Sequence, residues 1–211
     1  MPQTRHANTL SLLEVEQQFN LQENLDPQFL IELQLEPLLS DAEKHWLDQI
    51  RNDFLSLRRS DPTEEIVKLA VLAPLLSLAG LSRYPFIPVA EQSIEITIPD
   101  DDLILRGRID VLVLHKNLWT IIVESKRYSI NAEVGIPQAL TYLMANPNLN
   151  QPRYALILNG TEFIFLKLSS APASKILQYA TTDLFTLKRH PNDLYIVLAT
   201  LKKIRDLVMS Q

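Results

Sequence analysis

Asp110, Glu124 and Lys126 are the residues of this chain whose types and spacing suit chemistry. Two carboxylates, with an amine two residues beyond the second, make a set fitted to hydrolysing a phosphodiester. Carboxylate oxygens are hard donors and favour Mg²⁺ or Mn²⁺ over zinc. A divalent ion held between them would lower the pKa of a water and offset charge on the phosphate. Lys126 would orient or deprotonate that water, or stabilise the phosphate charge. The backbone carbonyl of Ser125 is a further candidate oxygen ligand.

Two strands must position this set. Residues 107–126 read G-R-I-D-V-L-V-L-H-K-N-L-W-T-I-I-V-E-S-K. Apolar, β-branched runs around the polar break His115-Lys116-Asn117 predict strands over 103–114 and 118–124, paired as an antiparallel meander. Alternation puts Thr120, Ile122, Glu124 and Lys126 on one face. Asp110 interrupts an otherwise apolar strand. An ionisable group there is costly unless it is paired, exposed or bound to a metal. The structural alternative is a salt-bridge group joining Asp110 or Glu124 to Arg108, Lys126 or Arg127, and the mid-strand place of Asp110 argues against it. Arg108 shares the face of Asp110, which fits either a phosphate contact or a pair with the acid. Arg127, Lys116 and Arg153 would line a nucleic-acid groove or simply face solvent.

The rest of the chain supplies the frame. Residues 1–60 read as a helical, peripheral extension. Its clearest helix opens with the capping box Ser40-Asp41-Ala42-Glu43 and carries a stripe of Trp46, Leu47, Ile50, Phe54 and Leu57. Asp61-Pro62-Thr63-Glu64 predicts another helix start, with Asp61 as cap, Pro62 in the first turn and Glu64 closing a box. That helix is apolar on nearly all sides to Gly80, which predicts burial, and Pro74 predicts a bend. Residues 93–98 alternate as a half-buried strand, with a turn over 99–102. Residues 131–146 read as a helix with Pro137 at its start or at a kink. Asn159-Gly160 predicts a hairpin between strands at 154–158 and 163–166. A short strand is expected within 176–179. Asn192 would cap a last helix with Leu194, Val197, Leu198, Leu201 and Ile204 inward. The order is an α/β arrangement around a central mixed sheet.

Three pieces together resemble the PD-(D/E)xK nuclease superfamily. Asp110, thirteen residues, then Glu124-Ser125-Lys126 resembles the defining motif, with Ile109 in place of its proline. Gln138 to Tyr142 resembles the QxxxY motif of RecB-like nucleases and of the N-terminal nuclease domain of type I restriction enzyme R subunits. Glu64 matches the helix acid of these families, with Glu65 competing for the role. The resemblance covers roughly residues 62–168. It implies a restriction-endonuclease-like core over residues 61–211, a divalent-metal-dependent endonuclease activity and DNA as substrate. It adds Gln138 and Glu64 to the catalytic set, and sets Tyr142 beside Arg108 and Arg127 as nucleic-acid contacts. A catalytically inactive nucleic-acid-binding or protein-interaction module on the same fold is the alternative.

Composition narrows the field. The 211 residues hold no Cys, which removes thiol nucleophiles and zinc–thiolate sites. No G-x-x-x-x-G-K-[ST] loop occurs, so ATP binding by that loop, and a restriction motor with it, is not expected. The four His have no i,i+3 or i,i+4 partner, and no G-x-S-x-G elbow exists. A net charge of −5 disfavours binding nucleic acid through bulk charge, though not through a local groove. No signal-peptide core or membrane span is evident, so a cytoplasmic protein is expected. The apolar stripes of the N-terminal and last helices would serve either a homodimer or closure of the core.

Overall fold

The computed structural model describes residues 3–34, 36, 38–98, 103–116, 118–146, 151–170 and 176–210. The turn expected over 99–102 lies outside them. Among the described residues a nine-stranded sheet runs through the centre. Its strands are β1 (Gln3–His6), β2 (Leu21–Glu23), β3 (Phe86–Ile98), β4 (Leu103–His115), β5 (Leu118–Ser125), β6 (Arg153–Leu158), β7 (Glu162–Ser170), β8 (Leu177–Thr181) and β9 (Phe185–Thr186). The path is β1-β4-β5-β6-β7-β8-β2, with β3 on β4 and β9 on β7. The β3–β4–β5 meander is antiparallel and β5–β6 is parallel, so the sheet is mixed.

Helices cover both faces. They are α1 (Leu12–Phe19), α2 (Asp41–Leu57), α3 (Glu64–Val67), α4 (Ala73–Ala79), α5 (Ile136–Met144) and α6 (Leu194–Met209). Strand alternation sorts side chains into two cores. Leu156, Leu158, Phe163 and Phe165 join Leu47, Phe54, Val71, Leu75, Leu198 and Leu201 on the side of α2, α4 and α6. Ala155, Ile157, Ile164 and Leu166 join Val15, Ala139, Leu140 and Leu143 on the side of α1 and α5. The last helix therefore turns its apolar stripe into the core. No helix among the described residues is long and apolar enough to cross a membrane.

Several expectations need correction. Residues 1–60 are not only helical: β1 and β2 pair parallel with β4 and β8, and side chains from this segment enter both cores. Trp46 of the expected stripe is 59 % exposed. Asp61 does not cap. It lies in the left-handed region and pairs with Arg127, while Thr63 is the residue that precedes α3. Glu64 is thereby released from any capping box. The helix that follows is not buried all round, since Leu69 is 70 % exposed. Instead of a bend alone, Lys68–Leu72 forms a π-helical stretch between α3 and α4, with the Ala73 N–H on the Lys68 carbonyl. Pro74 lies just beyond, where it removes a donor and crowds the preceding turn. β3 begins at Phe86, earlier than its alternation indicates, because Pro88 and Glu91 break the pattern.

The Ser40–Glu43 capping box forms as expected. Ser40→Ala should lower stability by about 1 kcal/mol in chemical denaturation. A hydrogen bond from Lys202, then one from the Ser40 backbone, hold the Glu43 carboxyl below its ordinary value of 4.5. A depressed folded-state pKa gives stability that is present above 4.5 and is lost as pH falls through the folded value. The cost of Ser40→Ala should therefore shrink in acid.

Candidate active site

The site forms where β4 changes neighbours. Its first residues pair with β1 (His6 opposite Arg106) and its last with β5 (Val111 opposite Val123). Between them the β4 backbone is open on that side. Tyr142 of α5 fills the gap: its hydroxyl accepts from the Arg108 N–H and donates to the Arg108 carbonyl, both at 3.1 Å. Burial, then the charge of Glu124, pushes this phenol up to about 12, so it remains a donor. Gly107 makes the fit possible, since a Cβ there would meet the Tyr142 ring at 2.4 Å.

A chain of contacts runs from this tyrosine to the acids. The Gln138 amide donates to the Tyr142 hydroxyl at 2.9 Å. Lys126 Nζ donates to Gln138 Oε1 and to Glu124 Oε1, both at 2.8 Å. Gln138 and Tyr142 share a face because they are four apart on α5. Gly135 lets the helix start close by, since a Cβ there would meet Ile157 at 2.8 Å and Lys126 at 3.4 Å. Asp110 Oδ2 accepts the Ser125 N–H at 2.7 Å, tying β4 to the end of β5.

Glu64, Asp110, Glu124, Lys126, Gln138 and Tyr142 all line one cleft of about 730 Å³. Glu65 does not: it is exposed, and its carboxylate accepts from Thr63. Glu64 is the helix acid at this cleft. Burial first, then the charge of Asp110, raises its pKa. Glu124 is 2 % exposed, and its Oε2 has no hydrogen-bond partner among the described residues. Burial pushes its carboxyl up to about 8; Lys126 pulls the other way and Asp110 adds to the rise.

Other sequence expectations change here. Arg108 lines the cleft but pairs with Glu91 at 2.6 Å rather than with Asp110. Asp110 pairs instead with Lys68, at 2.9 Å. Arg127 belongs with Asp61 and is not among the cleft-lining residues. Arg153 is no groove cation: it is buried, and its Nη1 donates to the Leu143 carbonyl. Thr120 is the extra residue at a register shift of β5, between Trp119 and Ile121, so it interrupts the alternation expected of that strand. Lys68, Glu91, Gly107 and Gly135 escaped the sequence reading. The lysine in an apolar helix was the one signal that pointed to any of them.

The donor set suits a hard divalent cation. Asp110 and Glu124 present carboxylates to one cleft, and a buried, unpartnered carboxylate oxygen is what such an ion would satisfy. Among the described residues no three His, Cys, Asp or Glu side chains form a ready cluster. Comparison with protein-family models and with curated proteins gives no match.

Proposed function

We propose that this chain is a divalent-metal-dependent endonuclease-like protein that hydrolyses DNA phosphodiester bonds, on a restriction-endonuclease-like core similar to the nuclease domain of type I restriction R subunits. The observation that carries the reading is Glu124 Oε2, buried and unpartnered in the cleft that also holds Asp110, Glu64 and Lys126. Asp110, Glu124 and the Ser125 carbonyl would hold Mg²⁺ or Mn²⁺. The chemistry such an ion supplies when bound is Lewis-acid charge for the phosphate and a lowered water pKa.

The side chains of the chain do the rest. Ser125 N–H fixes one oxygen of Asp110, and the other, which Lys68 holds, is the one an ion would take. Lys126 spends two of its three N–H donors on Glu124 and Gln138. The third is left for a phosphate oxygen or the attacking water. Gln138 and Tyr142 act as positioning residues, since they reach the chemistry through Lys126. Glu64, whose pKa burial raises, offers a proton donor or acceptor in the cleft. Arg106 and Arg108, both on the cleft wall, supply cations for the DNA backbone.

Purified protein should nick or cut plasmid or oligonucleotide DNA with Mg²⁺ or Mn²⁺ and stop on chelation. Lys126→Met should slow this by about 10²–10⁴-fold. Wild-type protein that cuts no form of DNA or RNA with either ion would sink the catalytic reading. The second reading, a non-catalytic binding module, is favoured by the Lys68–Asp110 pair, which already neutralises one ligand. It expects DNA binding that ignores both metal and Asp110→Asn.

A further inference from the structure

Both carboxylate oxygens of Asp110 are engaged. Oδ2 accepts from the Ser125 backbone, and Oδ1 accepts from Lys68 Nζ at 2.9 Å. The same ammonium reaches Glu91 Oε1 at 3.2 Å. Glu91 lies opposite Asp110: the flanking pairs are Gln92 with Ile109 and Ala90 with Val111, and this step alone is missing from the register between them. Like charges facing each other across a ladder repel. Lys68 bridges them.

The arrangement is built rather than incidental. Glu91 takes a φ of +57°, a conformation that costs a non-glycine residue and persists only where its surroundings hold it. Its other carboxylate oxygen is held by Arg108 Nε at 2.6 Å. Lys68 opens the π-helical stretch and stands one turn beyond Glu64, so the helix delivers an acid and a base to one edge of the site. Lys68 is itself 21 % exposed at its side chain, so its charge is little screened.

We propose that Lys68 is the resident cation of the Asp110 carboxylate, displaced onto Glu91 when a divalent ion binds, so that Lys68 and Glu91 together set the metal affinity of the site. The inference rests on the metal site proposed above. Oδ1 is the oxygen that the β5 backbone leaves over for a ligand, and it is the one Lys68 holds. An ammonium and a divalent ion cannot share it without repulsion. Glu91 offers a second seat within reach of the flexible lysine stem. Lys68 is thus a positioning residue for the metal, and its effect is visible without any turnover.

Calorimetric titration of chelator-treated, full-length protein with Mn²⁺ tests this. Lys68→Met should bind Mn²⁺ about tenfold tighter than wild type, the factor expected on removing a competing charged hydrogen bond. Glu91→Gln, at an exposed position, should bind it several-fold weaker, because displaced Lys68 loses its second seat. Asp110→Asn should lose the binding. Mn²⁺ binding that Asp110→Asn abolishes but Lys68→Met leaves equal or weaker would overturn the role of Lys68 and leave the metal site standing. Binding unchanged in Asp110→Asn, or absent from both wild type and Lys68→Met, would overturn both. Binding seen only in Lys68→Met supports the inference in its strongest form. Glu91→Gln that binds as tightly as wild type overturns the part given to Glu91.

Discussion

Glu124→Gln is expected to lower divalent-dependent DNA cleavage by about 10³-fold or more, the scale of losing a metal's charge stabilisation. It should do so without unfolding the protein. The substitution keeps the Oε1 that accepts from Lys126 and brings no new charge into a site that is 2 % exposed. Metal-free stability should respond in the opposite direction to activity. The Glu124 carboxyl sits near 4.5 in an unfolded chain and about 8 in the fold, with burial as the main cause. A raised folded-state pKa means that the folded state holds the proton longer. Stability is then full below 4.5 and falls as pH climbs through about 8. Thermal melting in chelator at about pH 5 and about pH 9 should show wild type losing stability between them and Glu124→Gln losing less. A variant that cleaves like wild type, or whose melting follows the same pH course, would remove Glu124 from the centre of the site.

The candidate group at the cleft was legible because its parts obey local rules. Apolar, β-branched runs mark β4 and β5, Asn159-Gly160 marks the β6–β7 hairpin, and i,i+4 spacing puts Gln138 and Tyr142 together. What stayed hidden depends on pairing between distant segments. β1 and β2 are four and three residues long, largely exposed, and exist because β4 and β8 offer edges to them. Lys68 and Asp110 are 42 residues apart, and no spacing rule joins them. Asp61-Pro62-Thr63-Glu64 reads as a capping box on local grounds. The fold instead turns Asp61 toward Arg127 and sends Glu64 to the cleft. There tertiary placement overrode the local preference.

Gly107→Ala should damage both stability and cleavage. Its Cβ would lie 2.4 Å from Tyr142 Cε1, 2.8 Å from the hydroxyl and 3.0 Å from Cζ. The ring cannot swing clear, because Tyr142 is 2 % exposed within the α5-side core. Overpacking of this kind costs about 1–3 kcal/mol. The damage should also travel. The Tyr142 hydroxyl closes the gap in β4 and holds Gln138, and Gln138 holds Lys126. Displacing it should slow cleavage by about 10- to 100-fold, the range seen when an outer support of a site is removed. Tyr142→Phe separates the two effects: it keeps the ring but leaves the Arg108 N–H and carbonyl without their partner, at about 1–3 kcal/mol. Combining Gly107→Ala with Tyr142→Leu removes the clashing ring, so the pair should cost less than the sum of its parts. Chemical denaturation of wild type, Gly107→Ala, Tyr142→Phe, Tyr142→Leu and the double variant, with cleavage rates beside it, decides the matter. A Gly107→Ala protein within about 0.5 kcal/mol of wild type would mean that the tyrosine can yield and that the gap in β4 is not the rigid anchor of Lys126.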